Sequence, residues 1–546
     1  MRKKKVLFVS EASWKNTGYS TYTREVLRRL NQIEELEVAE LACYGCETDI
    51  EIQTTPWKVF PNKPRNDAPE YESYKGNPSN VFGEQTFNHV LLQFMPDIVM
   101  DIRDWWMFEY QQRSPFRDFF HWAIMPTVDA APQNPQWINT FESADSVFAY
   151  SEFGRDTMLS QCDSIKFCDI ASPAASQDYV PFLNKKQHKL SMGIDPNSII
   201  VGTVMRNQRR KLYPDLFKAF RQYLDETKMD DVFLYCHTYY PDIGWQIPQL
   251  LDDFGLNNRV LFTYKCNECN SITVDFFQDS VRFCNDCKAL KRQLVGIDNP
   301  IDEKELNKIY NTFDIYVQWA NSEGFGMPQL EAAYAGLPVI SVNYSAMESV
   351  VKNIGGTGIN PVSHTKECET GCYRAIPDND GLVKVLKMMT ENRDSLKTLG
   401  MKTSKTAREY YSWDKTADIW AKHLLSIPLR DVNETWLSPS RIKQPATEFP
   451  EGMIDLSEKV NFLFTNVLHK PDWIGGYYWG KVLKDCMFKY RVFSSNEDYY
   501  FNESHIQSQG QFVPFNIESA FQEMTNFRNQ HNSWEQARLQ LIGGMQ

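Results

Sequence analysis

Short runs of consecutive apolar residues recur along most of the chain, each followed by a stretch whose apolar positions return every three or four residues. The first period suits a strand buried on both faces and the second an amphipathic helix, so their alternation predicts parallel sheets covered by helices. Lys5–Val9 reads as the first strand and Tyr22–Leu30 as a helix with Val26, Leu27 and Leu30 on one face. Asp97–Met100, Trp122–Met125 and Ser146–Tyr150 continue the strand series. Residues 47–80 interrupt it with Pro, Asn, Tyr and charges, which predicts a long loop of the functional or disordered kind. A second series runs through Ser198–Val204, Val232–Tyr235, Val260–Thr263, Ile315–Gln318 and Pro338–Val342, with polar Lys189–Asp195 as the crossing between the halves. It ends near Ser412-Trp-Asp-Lys415 and a helix over Ile419–Leu425. Pro439, Pro445 and Pro450 then lead into helical patterns at Leu456–Leu468 and Ala520–Phe527.

The expected architecture is α/β, with two Rossmann-like domains facing a cleft: residues 1–188, then 189–428, then a helical extension over 429–546. Open parallel sheets bind ligands beyond the carboxyl ends of their strands, so the loops of both halves should line that cleft.

Composition narrows the function classes. The 546 residues are 42% hydrophobic with a formal charge of −12, enough apolar surface for large cores and an unfavourable total for a protein that grips nucleic acid over its whole surface. No apolar run approaches the roughly 18–20 residues that span a bilayer, and the apolar stretch after Met1-Arg-Lys-Lys-Lys5 is too short for a signal peptide. A cytoplasmic protein is expected. Twelve cysteines in such a length do not suggest a secreted disulfide scaffold.

The most informative segment is Trp319-Ala-Asn-Ser-Glu-Gly-Phe-Gly-Met-Pro-Gln-Leu-Glu-Ala-Ala-Tyr-Ala-Gly-Leu-Pro-Val-Ile340. A strand ends, two glycines open a tight turn, and Pro328 stands where a helix begins. Glycines let the backbone approach a ligand, and the free amides of a helix start attract phosphate. Glu323 precedes that turn and Glu331 lies in the helix; carboxylates repel phosphate but accept hydrogen bonds from sugar hydroxyls. A diphosphate flanked by two sugars, as in a nucleotide sugar, satisfies both demands.

The string resembles the signature of family 4 glycosyltransferases, retaining enzymes of the GT-B fold, and the resemblance extends over most of residues 1–425. It implies that Glu323 contacts the transferred sugar, that the backbone of Phe325, Gly326 and Met327 meets the phosphates, and that Glu331 binds the ribose. Gly202-Thr-Val-Met-Arg206-Asn-Gln-Arg-Arg-Lys211 follows a strand, and Arg206 and Lys211 match the family's basic pair, which neutralises the departing diphosphate. No Asp-x-Asp metal site is evident to do so, since Asp378-Asn-Asp380 reads as a helix cap. Gly18, in Asn16-Thr-Gly18-Tyr19, occupies the loop where the family has a glycine pair. Ser151-Glu-Phe-Gly154 resembles a structural landmark, and His237 stands where relatives carry a glycine-rich turn, which places it in the donor pocket. Where the family often has a histidine, this chain reads Asp101-Ile-Arg-Asp104-Trp-Trp106, making Asp104 the candidate for contact with the reacting sugar or acceptor, ahead of His121.

Cys266-Asn-Glu-Cys269 and Cys284-Asn-Asp-Cys287 are two knuckles separated by fourteen residues, the spacing of a zinc ribbon over residues 265–292. Four thiolates close a tetrahedral site, so the zinc is structural and leaves no position for substrate. The insertion follows a strand end at the cleft rim, where it could cover the donor or recognise the acceptor. Its five basic and four acidic side chains do not make a strong phosphate-binding surface. The ribbon, with the Asp101–Trp106 and Met205–Lys211 strings, resembles glycosyltransferases of tailed bacteriophages, which implies a hydroxymethylated base of phage DNA or a glycan as acceptor. A sugar-nucleotide epimerase of the same fold, and a non-catalytic zinc-ribbon binding protein, are the alternatives. Cys43-x-x-Cys46 is a weak redox or metal pattern.

Overall fold

The computed structural model describes residues 2–296, 299–438, 442, 452 and 517–545. Two sheets form two halves. The first contains β1 (Lys4–Glu11), β2 (Leu36–Cys46), β3 (Lys58–Lys63), β4 (Ile98–Asp101), β5 (His121–Ile124), β6 (Ser146–Ala149) and β7 (Phe167–Ile170). All pair in parallel, in the order β3-β2-β1-β4-β5-β6-β7.

The expected loop over 47–80 is ordered differently: β3 lies within it and closes the sheet edge, and a helix follows at Glu70–Gly76. β2 carries no clean apolar run because Glu37 and Glu40 interrupt it. Glu40 is nonetheless fully buried, accepting from the Ser13 amide at 2.7 Å and from Trp57 Nε1 at 2.8 Å. Burial pushes its carboxyl up to about 7.

The second half begins with β8 (Ile199–Val204), β9 (Val232–His237) and β10 (Val260–Cys266). An antiparallel excursion off the end of β10 follows: β11 (Ile272–Phe276), β12 (Arg282–Phe283) and β13 (Leu290–Leu294). β14 (Ile315–Gln318), β15 (Val339–Val342) and β16 (Thr357–Ile359) complete the parallel part, in the order β10-β9-β8-β14-β15-β16. A separate hairpin, β17 (Ser363–Lys366) and β18 (Tyr373–Ile376), projects after it.

The helix Trp413–Ser426, assigned with residues 189–428 by the sequence pattern, packs on the first half. Trp420 is buried and its Nε1 donates to Tyr22 OH at 2.7 Å, while Lys4 Nζ donates to the Leu424 carbonyl at 2.6 Å. The chain therefore crosses between halves twice. In the C-terminal extension a helix spans Ile517–Met545, containing the expected Ala520–Phe527, whereas Leu456–Leu468 lies outside the described residues. Trp534 packs against His89 and Phe116, and buried Arg538 donates to the Trp436 carbonyl at 3.0 Å, fastening this helix to the first half. Among the described residues no helix is long and apolar enough to cross a membrane.

Candidate active site

Strand β14 is buried throughout and delivers Gln318 to the cleft as its last residue. Two loops are laced together beyond it: Leu212 N donates to the Trp319 carbonyl and Asn321 N to the Arg210 carbonyl, both at 2.9 Å, and Lys211 and Ala320 form a β-bridge. That lacing carries the basic segment onto the glutamate that follows. Glu323 is only 5% exposed. Its carboxylate touches the Lys211 ammonium and the Arg210 guanidinium, and accepts from Gln318 Nε2 at 2.9 Å. Its amide donates to Ser345 Oγ at 2.9 Å. Burial pulls the Lys211 amine well below its ordinary value, and losing Glu323 would leave it without its carboxylate partner in a buried place.

Gly324 faces the opposite half so closely that a Cβ there would lie 2.3 Å from Thr127 Cγ2. Gly326 has φ +88° and caps the helix Met327–Tyr334 without a side-chain acceptor; Pro328 has no amide hydrogen and Gln329 N donates to the Gly326 carbonyl at 3.1 Å, so the turn Phe325–Met327 is what faces an anion there. Phe325 is buried against Tyr411, with ring centroids 5.7 Å apart, and Met327 packs against the same core. Glu331, half-buried in that helix, accepts from Tyr310 OH at 2.7 Å. Burial, opposed by that hydrogen bond, pushes its carboxyl up to about 7.

Arg206 and Lys211 stand in different places. Lys211 meets Glu323, while Arg206 pairs in a fork with Asp242, Nε to Oδ2 at 2.9 Å and Nη2 to Oδ1 at 3.0 Å. Arg210 is the cation the sequence reading passed over; it is the middle member of Arg209-Arg210-Lys211, and only its backbone link to Asn321 singles it out. His237 ends β9 with Nδ1 2.8 Å from Thr263 Oγ1, and burial lowers its pKa to about 4, so the ring is neutral at neutral pH.

On the first half, Gly18 opens the helix Gly18–Leu30 behind Thr17, with open space where a side chain would be. The next residue, Tyr19, places its hydroxyl 2.7 Å from Thr127 Oγ1. Asp104 follows β4 and shares hydrogen bonds with Tyr19 and Thr127. Burial, then the nearby Asp129 charge, raises its carboxyl to about 6, with Arg210 of the other half acting against them. Asp104 is therefore near the Glu323 loop. His121 is not: it is the first residue of β5, at the opposite end of the strand, paired with Ser146 Oγ at 2.7 Å and near His423. Asp101 and Arg103 form a fully buried fork at 2.5 Å, a structural pair. Arg103 also donates to Cys43 Sγ at 3.1 Å, and burial pushes that thiol up to about 12, which removes thiolate chemistry from Cys43. Asp378 caps the helix Asn379–Glu391 through the Gly381 amide at 2.9 Å. Further out between the halves, a cavity of about 440 Å3 lies between residues of Glu152–Gln161 and Glu348–Asn353.

The four sulfurs of Cys266, Cys269, Cys284 and Cys287 lie within 4.8 Å of one another. Cys266–Cys287 is 3.6 Å and Cys269–Cys284 is 3.7 Å. A zinc–sulfur tetrahedron has edges of about 3.8 Å, so the cluster fits the ion. The knuckles match each other: the amides of Glu268 and Asp286 donate to Cys266 and Cys284 sulfurs, both at 3.4 Å, and Asn270 and Lys288 both adopt positive φ.

Residues 287–366 match the family model described as glycosyl transferases group 1. That span contains Glu323, Glu331 and the helix start between them. Solved structures align over most of the chain. Sucrose-phosphate synthase from Thermosynechococcus elongatus aligns at TM-score 0.55 and 15% identity, over 77% of this chain and 98% of its own. A glycosyltransferase from Rickettsia africae aligns at TM-score 0.53 and 14% identity, over 78% and 100%. This is a GT-B glycosyltransferase fold. The Anabaena protein HepE, solved with UDP and glucose, superposes on that GT-B frame at TM-score 0.54 and 14% identity, over 78% of this chain and all of its own. The comparison with curated protein sequences finds no match. On the GT-B frame, the residues gathered around Glu323 belong to the second half and those around Asp104 to the first.

Proposed function

We propose that this chain transfers a sugar, with retention of configuration, from a nucleoside diphosphate sugar to an acceptor hydroxyl. The observation that carries the reading is Glu323, buried against Lys211, Arg210 and Gln318 beside the glycine turn that opens the helix Met327–Tyr334. Glu323 accepts from hydroxyls of the transferred sugar. The amides of Phe325, Gly326 and Met327, with Lys211, take the diphosphate, whose charge grows as the glycosidic bond breaks; stabilising it needs no metal at the phosphates. Arg206 reaches the same anion by leaving Asp242. Glu331 accepts from the ribose, and neutral His237 lies along the donor. Retention rests on the family 4 resemblance: the donor phosphate receives the acceptor's proton on the face from which it departs. Asp104, from the other half, orients the acceptor or the reacting sugar, and Gly18 gives backbone access beside it. HepE, solved with UDP-glucose, supports a UDP-sugar as the first donor to try.

The four-cysteine cluster holds a structural zinc that rigidifies the excursion from β10. In domain terms, 1–188 carries the acceptor, 189–428 the donor and 265–292 the ribbon, while the helix Ile517–Met545 of the 429–546 extension braces the first half. A hydroxymethylated base of phage DNA and a glycan remain the two acceptor classes of the resemblance.

The test is nucleotide release from a panel of UDP-, GDP- and ADP-sugars, with the product anomer read by NMR. Turnover of none of them sinks the transferase reading, and an inverted anomer sinks retention. Nucleoside mass spectrometry after incubation with hydroxymethylated DNA decides that acceptor; unchanged bases remove it. Donor interconversion without any acceptor favours the epimerase.

A further inference from the structure

The β17–β18 hairpin belongs to the second half, yet its edge is bound to the first. Tyr373 N donates to the Ala131 carbonyl at 2.8 Å, and Tyr344 OH donates to the Tyr373 carbonyl at 2.6 Å. Arg374, only 11% exposed, does more. Its Nη1 donates to Asp129 Oδ2 at 2.7 Å across the cleft and to Ser322 Oγ at 2.6 Å on its own side, while Nη2 donates to Glu367 at 2.7 Å. Ser322 immediately precedes Glu323, and its carbonyl accepts from Arg210 at 3.3 Å. Asp129 is in turn a charge that Asp104 feels. One guanidinium thus touches the loop of each wall, and separating the halves must break its bond to Asp129.

We propose that Arg374 is a positioning residue: its bridge from Asp129 to Ser322 forms only when the halves close, and forming it sets Glu323 in place for the donor sugar. The ion pair alone is partly exposed and of modest strength. Its leverage comes from one guanidinium serving two carboxylates, Asp129 and Glu367, and from the serine that shares Nη1. The part concerning turnover rests on the glycosyl-transfer reading; the part concerning closure does not.

The test uses the full chain and a double-mutant cycle of Arg374→Gln and Asp129→Asn, with thermal melting to confirm folding. Asp129→Asn is nearly isosteric and on a loop, so it keeps the cycle informative if Arg374→Gln folds poorly. Each single change is expected to lower kcat for nucleotide release about ten-fold. Donor KM should move by less than about three-fold, because the bridge acts on placement rather than on ground-state binding. The double variant should be no worse than the poorer single one, and small-angle scattering should show both singles less compact than the parent. Unchanged kcat, single effects that multiply in the double variant, or unchanged compactness overturns the proposal. If the parent turns over no nucleotide sugar, the transferase reading fails by itself, and scattering still decides the clasp.

Discussion

The wall built by the second half draws Gln318, Glu323, Gly326 and Glu331 from one short stretch of chain, while the opposing wall draws Tyr19, Asp104, Thr127 and Asp129 from the ends of three different elements. The two walls also differ in charge compensation. Glu323 sits among Lys211, Arg210 and Gln318. Asp104 is raised by burial and then by the like charge of Asp129, against the hydrogen bonds of the Tyr19 and Thr127 hydroxyls. A glutamate pinned by three partners, Lys211, Arg210 and Gln318, is held in one place. An aspartate titrating at about 6 among hydroxyls is poised to respond to what binds it. The difference sets Glu323, pinned by its partners, against Asp104, whose carboxyl is free to titrate.

The largest effect should follow from breaking the fixed side. Glu323→Ala removes the proposed acceptor for the sugar and leaves buried Lys211 without its carboxylate partner. We expect kcat to fall by about 10²–10³, in line with the loss of a preorganised polar group from an active site. Steady-state nucleotide release measures it, and full retained activity refutes the assigned role.

Asp104→Asn should cost less, about ten- to a hundred-fold in kcat, and should alter the pH profile. Because its carboxyl is held at about 6, the parent's activity should rise as pH increases through 6, as the ionised form becomes available to accept a hydroxyl proton in a hydrogen bond. That limb should vanish in the variant. A limb that persists unchanged belongs to another group and would remove Asp104 from the site.

The same comparison explains what could be read from the chain. The donor wall was legible because strand, turn and helix each impose residue types in sequence: a buried run, Gly324 and Gly326 where only glycine fits, then Pro328. The basic segment was legible as a cluster but not as a geometry, since the choice of Arg210 over Arg206 beside Glu323 depends on backbone lacing between two loops. Asp129 and Arg374 carry no pattern at all; each is an ordinary loop or hairpin charge until the fold brings them within 2.7 Å. In the first sheet, β2 and β3 escaped the periodicity because buried Glu40 and a run of Pro, Asn and Lys break the apolar pattern.

A smaller, graded effect should come from Glu331. Its carboxyl is pushed up to about 7 by burial, so near neutral pH it is partly protonated. Ribose hydroxyls donate to the ionised form and lower its pKa, so binding the nucleotide should release a proton. Affinity should therefore fall as pH drops through 7, by up to about ten-fold per pH unit. Calorimetric titration with UDP in two buffers of different ionisation heat counts the proton, and Glu331→Gln should flatten the slope. Absence of proton release would take Glu331 off the donor wall.

The smallest effect tests which wall the ribbon serves. β11 and β13 pair with β10, whose Thr263 is the partner of His237 at the end of β9. Chelating the zinc proposed for the four cysteines, or substituting Cys284→Ser, is expected to free that excursion and relax the support behind His237. A structural zinc stabilises its own small unit, so a drop of a few degrees in melting temperature is expected rather than global unfolding. Catalysis should register it as a donor KM raised about three-fold with kcat nearly constant, the mark of lost uniform binding. If the acceptor KM rises instead, the ribbon recognises the acceptor, and the contiguous donor wall ends at β10 rather than extending through the four cysteines.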